Sequence, residues 1–420
     1  MAEVPVDKEE LARTLKPWLG PASIEGLAPM SGGASREIWT FDAVGPDGSR
    51  TELVLRRDPP GRPGDPGAID REARAISLAA AEGLCVPELI MVSEGAGLGT
   101  AGMVMRRVPG ETIARRILRD EQYRLARGVL VGQLAEFAAG LHSLEGPADF
   151  PGTDPVADLR ATLETFEEYS PVFDLALQEL AAGQPPQRGP VLVHGDLRLG
   201  NVVVGPEGLR AVLDWELAHA GNPAEDLGWL CVKAWRFGAA APVAGVGTRE
   251  DLLAAYRAAG GAEISADELR WWEVLGTLRW GVICMTQAHA HLSGAHRSVE
   301  LAAIGRRVCE QEWDLLLLLA PEAAALAAAR RPRPSGSPQP APAPHGRPTA
   351  SELLDAVRGF LTDQVMPATG GQVSFHARVA ANVLGIVARE LELGPMPPAT
   401  GLADSVAARL AVANPRYFGA

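Results

Sequence analysis

Residues 191–216 read VLVHGDLRLGNVVVGPEGLRAVLDWE and hold Asp196, Asn201 and Asp214 at fixed offsets. An apolar run, Val191-Leu192-Val193, delivers His194-Gly195-Asp196, and Asn201 follows in the same stretch. Val202-Val203-Val204 and Ala211-Val212-Leu213 bracket a Gly-containing turn and end at Asp214. The pattern predicts a hairpin with its polar groups at the strand ends. Carboxylates and amides so placed rarely serve packing alone, although a plain hairpin with solvated turn carboxylates is the bland alternative. Phosphoryl transfer from ATP needs such a set. One carboxylate accepts the hydroxyl proton, while an amide oxygen and a second carboxylate hold Mg²⁺.

Groups that act on ATP need a partner surface for its phosphates and base. Upstream, Ile38-Trp39-Thr40-Phe41 and Thr51–Arg57 read as strands joined by Gly45-Pro46-Asp47-Gly48. Before them lie Ser31, Gly32, Gly33, Ala34 and Ser35, small residues that let backbone N–H groups approach phosphates. On the strand Leu53-Val54-Leu55-Arg56-Arg57, Val54 and Arg56 share one face and Leu55 and Arg57 the other. The Ala-rich run from Asp70 to Ala79 predicts a helix. Two further strands are expected at 86–92 and 102–105.

The run His194-Gly195-Asp196, Asn201 and the Asp214-Trp215-Glu216 triplet resemble the aminoglycoside phosphotransferase and choline kinase branch of the kinase-like fold, over residues 20–320. The resemblance implies an α+β, two-lobed protein-kinase-like fold, with a β-rich lobe at 1–108 and a mainly helical lobe at 109–329. It implies ATP and Mg²⁺ as cofactors, Asp196 as general base, and Asn201 and Asp214 as metal ligands. Residues 31–35 would cover the phosphates, and Val54 would face adenine. Arg56 stands where kinases have a lysine; Lys8, Lys16 and Lys233 are the only lysines of the chain, so this part offers no lysine instead. Arginine can hold phosphate oxygens through its fork, though both strand arginines could simply be solvated. Glu72 would pair with Arg56; a first-turn glutamate favoured by the helix dipole is the alternative. Met103 and Met105 lead into a hinge, 106–112, whose backbone would pair with adenine. Arg198 would touch the phosphoryl group or the substrate, His194 would orient the loop, and Asp226 would brace it.

The net charge of −13 argues against nonspecific nucleic-acid binding, which needs a basic surface. No 18-residue apolar stretch predicts a membrane span. Cys85, Cys231, Cys284 and Cys309 are scattered among apolar residues, as expected of reduced core thiols in a cytoplasmic protein. His142 ends an amphipathic helix within 121–144 and reads as a core or capping residue. His289, His291 and His296 are expected in a loop between two helices, lining a cleft or solvated; their spacing is not that of a zinc site.

Residues 330–348 are Pro-rich and read as a semi-rigid linker. Beyond them, 349–420 regain amphipathic pattern, opening on the capping box Thr349-Ala350-Ser351-Glu352. Three helices are expected, carrying Leu353 to Val365, Phe375 to Leu391 and Leu402 to Leu410. Such a small all-α module has a marginal core of its own. It is expected to dock on the rest of the chain or to self-associate, as in a homodimer.

For the acceptor, HGDLRLGN, VLRRDPPG and HRSVELAAIGRR most resemble the kinase-like region of multidomain acyl-CoA dehydrogenases. That implies a small-molecule hydroxyl substrate, namely a hydroxyacyl-CoA or related hydroxy acid. Aminoglycoside phosphorylation is the runner-up, and a pseudokinase scaffold is the alternative from another class.

Overall fold

Alternating apolar and polar residues over 37–44 and 50–57 pair as a hairpin in the computed structural model of the chain. Glu37–Val44 (β2) and Arg50–Arg57 (β3) run antiparallel from Glu37↔Arg57 to Val44↔Arg50. The structure describes every residue except 1–5, 31–35, 61–64, 66, 151, 153, 332–347, 396–400 and 420. The turn closes with Gly45 N–H donating to Ser49 O, 2.8 Å, and Gly48 takes φ +81°, where a side chain is strained. Ser23–Pro29 (β1), Leu89–Ser93 (β4) and Gly102–Arg106 (β5) complete an antiparallel sheet of order β1-β2-β3-β5-β4. β1 was not expected from the sequence. Its residues SIEGLAP lack clean alternation, and only Ile24 is buried.

The chain divides into two compact units. The first comprises Met1–Thr153 and Pro186–Trp272. In it, one sheet face buries Trp39, Phe41, Leu53 and Leu55 with Leu11 and Leu15 of the helix Lys8–Leu19. The other face carries the side chains expected to meet a nucleotide. The β3–β5 register sets Val54 opposite Met105 and Arg56 opposite Met103, so these four share one face. The helix Ala68–Ala81 packs on β4 and β5.

Farther along this unit, the helix Arg124–Leu141 buries Leu130, Leu134, Phe137 and Leu141. Val191–Val193 (β6) pairs with His219–Gly221 (β9), and Val202–Gly205 (β7) pairs with Gly208–Val212 (β8). This is the expected hairpin. The hinge is tied to it: the Glu111 N–H donates to Val204 O, and the Val204 N–H to Glu111 O, both at 3.0 Å.

The second unit comprises Asp154–Pro185 and Glu273–Ala420. His289 and His291 lie on the helix Ala266–Leu292, not in a loop; the helix runs through them and stops before Gly294, φ +81°. The capping box at Thr349 forms as expected. The first tail helix, Ala350–Phe360, gives way to a π-helical turn at Leu361–Val365. The last, Leu402–Ala413, packs on the helices Val308–Leu319 and Pro321–Arg330, burying Val406 and Leu410. The tail helix Leu402–Ala413 thus packs on helices that precede the Pro-rich segment. Arg409 pairs with Glu312 at 2.8 Å, and the Tyr417 hydroxyl donates to Asp314 at 2.7 Å. Among the described residues no helix is long and apolar enough to cross a membrane.

Candidate active site

All the site residues belong to the first unit. The residues 31–35, expected over the phosphates, lie outside the described residues. Val54 is half-buried, Met103 fully buried and Met105 half-buried, on the face they share with Arg56.

Arg56 is 8% exposed, which decides against a solvated strand cation. It donates to Glu72 Oε1 at 2.5 Å, to Asp214 Oδ1 at 2.5 Å and to Glu216 Oε2 at 3.0 Å. Glu72 is buried at 2% exposure, in the second turn of its helix, so it is more than a dipole-favoured surface glutamate. It also pairs with Arg36, which in turn meets Asp58 at 3.3 Å. Burial alone would pull the Arg56 pKa down, but Glu72, Asp214 and Glu216 hold it above the usual arginine value. Arg57 sits on the opposite face with its own partners, Glu37 and the carbonyl of Leu98.

Asp196 is held from three sides. Arg198 Nε donates at 2.9 Å, Asn201 Nδ2 at 2.5 Å and Trp229 Nε1 at 2.7 Å. Asn201 lies in the short 3₁₀ turn Leu199–Asn201, and its carbonyl accepts from Leu213 N–H at 2.7 Å. That bond ties Asn201 to the residue before Asp214. Asp214 takes φ +67°, a left-handed conformation uncommon outside glycine but accessible to Asp. Gly195 has φ +76°, and a Cβ there would strike the carbonyl of Leu217. No other residue fits the middle of the His-Gly-Asp turn without rearrangement.

The turn is anchored from beneath. Asp226, fully buried, accepts from His194 N–H at 2.8 Å and Gly195 N–H at 2.9 Å. His142 Nε2 lies 3.2 Å from the same carboxylate, with Nδ1 2.9 Å from Tyr256 OH. Burial pushes the Asp226 pKa up, but the hydrogen bond and charge from His142 and the bond from His194 N–H outweigh it, so it lies below the usual carboxylate value. His194 itself is buried against Trp215, ring centroids 4.7 Å apart. Its Nδ1 accepts from Asp196 N–H at 3.1 Å, so the proton sits on Nε2, which donates to Leu213 O at 3.0 Å. These are the contacts of a residue that orients the loop, and they leave neither ring nitrogen for the acceptor.

Whether the site suits Mg²⁺ can be judged from its oxygens. Asn201 turns its amide nitrogen to Asp196, which leaves the amide oxygen as a ligand. Asp214 uses Oδ1 for Arg56, and no hydrogen bond occupies Oδ2 among the described residues. Around Arg36 and Arg56 stand Asp58, Glu72, Asp214 and Glu216, two more carboxylates than guanidiniums. A hard divalent cation with oxygen ligands and nucleotide phosphates fits this donor set and its surplus charge. Among the described residues no group of three or more His, Cys, Asp or Glu is arranged to hold a metal by itself, so Asn201 and the nucleotide phosphates would have to complete the ligand set.

Sequence reasoning missed several members. Glu216 was visible in the Asp-Trp-Glu triplet but received no role. Trp229 and Trp235 carry no motif signal; only the fold brings one to Asp196 and the other to Arg198. Arg36 follows the small-residue loop directly and gave no sign of reaching Glu72.

A family model described as the phosphotransferase enzyme family matches residues 26–272, and a domain of unknown function, DUF6285, matches 367–403. Acyl-CoA dehydrogenase family member 11 of Rattus norvegicus is 34% identical over 197 residues, 42% of this chain and 24% of that protein. Acyl-CoA dehydrogenase family member 10 of Mus musculus is 29% identical over 195 residues, 43% of this chain and 18% of that protein. The matches thus span less than a quarter of either relative's length. Among solved structures, an aminoglycoside phosphotransferase-type protein from Ralstonia eutropha superposes with TM-score 0.57 at 21% identity, covering 74% of this chain and 98% of that one. Spectinomycin phosphotransferase APH(9)-Ia, in complex with ADP and spectinomycin, gives TM-score 0.52 at 13% identity, covering 74% and 99%. The fold is that of the protein-kinase-like phosphotransferases.

Proposed function

The chain belongs to the phosphotransferase enzyme family, and from that premise we propose that it is an ATP- and Mg²⁺-dependent kinase acting on the hydroxyl of a hydroxyacyl-CoA or related hydroxy acid. The observation that carries the phosphotransferase reading is the meeting of Arg56, Glu72 and Asp214 beside a loop that holds Asp196 and Asn201.

In this reading Asp196 takes the proton of the acceptor hydroxyl as its oxygen bonds to the γ-phosphorus. The bond from that phosphorus to the β-bridging oxygen breaks, ADP leaves, and the proton passes to solvent. Bound Mg²⁺ would neutralise charge on the phosphates, held by Asn201 and Asp214. Arg56, fixed by Glu72, would hold phosphate oxygens, and the shared face of Val54, Met103 and Met105 would take the adenine. His194 and Asp226 keep Asp196 at its post.

The likeness to the acyl-CoA dehydrogenase family members supports a hydroxyacyl acceptor. An aminoglycoside acceptor is the second reading, favoured by the fold shared with spectinomycin phosphotransferase. ADP release in the presence of 3-hydroxybutyryl-CoA and of kanamycin, under one set of conditions, tests the two. Turnover of the thioester alone supports the first, and turnover of kanamycin alone overturns it.

A further inference from the structure

Arg198 stands two residues beyond Asp196 and donates through Nε to both its carboxylate oxygens, at 2.9 and 3.2 Å. Its guanidinium stacks on Trp235, with Cζ 4.6 Å from the ring centroid. Trp235 leans on Trp229, centroids 5.2 Å apart, whose indole N–H also holds Asp196. The guanidinium plane is therefore fixed at one edge by the carboxylate and on one face by the indole. Among the described residues no hydrogen bond occupies Nη1 or Nη2. The side chain is 23% exposed, so those donors remain open to a ligand. Among the described residues Arg198 has no hydrogen bond or ion pair with Arg56, Asp214 or Glu216; its partners are the loop itself and Trp235 of the 3₁₀ turn Lys233–Arg236.

We propose that Arg198 is a specificity-determining residue that reads an acyl oxygen of the acceptor through its two open Nη groups. The inference rests on the kinase reading above and deepens it. Nη1 and Nη2 belong to the guanidinium whose Nε binds Asp196, so one small acceptor could place its hydroxyl on Asp196 and a second oxygen on Nη1 or Nη2. That arrangement suits a hydroxyl a few bonds from its own carbonyl or carboxylate. A free carboxylate can take both Nη donors as a fork, and a thioester carbonyl can take one. The shared chemistry is an acyl oxygen close to the reacting hydroxyl. A polyamine antibiotic would instead bring ammonium groups towards a guanidinium, a repulsive juxtaposition.

The test compares 3-hydroxybutyryl-CoA, 3-hydroxybutyrate and 1,3-butanediol as acceptors, by ADP release, for the full-length protein, Arg198→Ala and Arg198→Lys. The diol keeps the hydroxyl and lacks the acyl oxygen. The full-length protein should favour the better acyl acceptor over the diol by about 10–100-fold in kcat/KM, the worth of a hydrogen bond to a charged group. Arg198→Ala should collapse that ratio towards one, chiefly through the acyl acceptor's KM. Arg198→Lys, which keeps the charge and loses the fork, should fall between. The thioester and free-acid arms tell which source supplies the oxygen. A ratio unchanged in Arg198→Ala overturns the proposal, because Arg198 then acts on the phosphoryl group or the loop regardless of acceptor. So does a full-length protein that prefers the diol, or one that binds Mg²⁺-ATP yet uses none of the three. Failure to bind Mg²⁺-ATP at all, by calorimetry, removes the kinase reading and this inference together. Thermal melting of each variant separates loss of recognition from loss of fold.

Discussion

Arg56 donates to Asp214 at 2.5 Å although 158 residues separate them in the chain. One stands on the third strand of the five-stranded sheet, the other just past the hairpin of residues 202–212. The strand cation thus binds Asp214 and Glu216 beside Glu72, so one guanidinium ties the helix carboxylate to the proposed metal ligand. Removing Arg56 leaves the buried Glu72 short of countercharge, which is costly in a dry environment.

Arg56→Ala should therefore cost stability as well as activity. Glu72 would keep Arg36 alone, and breaking a buried pair costs about 3–5 kcal/mol. The KM for ATP should rise, and Arg56→Lys should recover part of the loss. Arg57→Ala should lower the melting temperature through its bonds to Glu37 and Leu98 while leaving the KM for ATP near normal. The reverse pattern would mean that Arg57, not Arg56, faces the nucleotide.

Asp226 gives a prediction with a sign in pH. Its folded pKa lies below the usual carboxylate value. The stability it contributes is then fully present above its unfolded pKa, about 3.9, and is lost as pH falls through the lower folded value. Denaturant unfolding of the full-length protein and Asp226→Asn should differ most at neutral pH and converge on acidification. At pH 7 the variant should also lose kcat, because His194 and Gly195 no longer share one anionic anchor. A stability difference that grows as pH falls would contradict the role given to this carboxylate.

The hairpin proposed to carry the chemistry was legible because its pattern is local. Asp196 and Asn201 precede the strand pair Val202–Gly205 and Gly208–Val212 and Asp214 follows it, and apolar runs of fixed length set their spacing. Helix starts such as Thr349-Glu352 were equally readable, since a capping box is written in four residues. Period-two alternation also assigned Val54 and Arg56 to one face correctly. What the sequence hid is whatever depends on packing between distant segments. Trp229 and Arg36 approach Asp196 and Glu72 only through the tertiary fold. The tail was expected to dock on the rest of the chain, but that the buried face of Leu402–Ala413 meets Val308–Leu319 is a match no local pattern announces.

Ending the chain after Arg330 should consequently destabilise the second unit. Glu312, 1% exposed, would lose Arg409, and Glu310 would lose Asn414. Melting should occur at a lower temperature than in the full chain. Binding of Mg²⁺-ATP should persist, since every residue proposed to hold it lies in the first unit. A folded truncated protein that has lost nucleotide binding would place part of the ATP site in the tail.

Asp214→Ala should raise the Mg²⁺ concentration needed for half-maximal activity and weaken ATP binding with it, because a metal ligand acts in both ground and transition states. Asn201→Ala should do the same and also loosen Asp196, whose carboxylate it holds. Activity titrated against Mg²⁺ reads both. An unchanged metal requirement in either variant would remove that residue from the ligand set.

The proposal turns on Asp196 as the group that takes the acceptor's proton, and Asp196→Asn tests it most directly. The substitution keeps the size of the side chain and removes its charge and basicity. ADP release with a hydroxyacyl acceptor should fall by about 10²–10⁴-fold, the usual loss when a general base is removed. Mg²⁺-ATP affinity, measured on the same sample by calorimetry, should stay close to that of the unaltered protein. Near-normal turnover in Asp196→Asn, with ATP still bound, would contradict the mechanism.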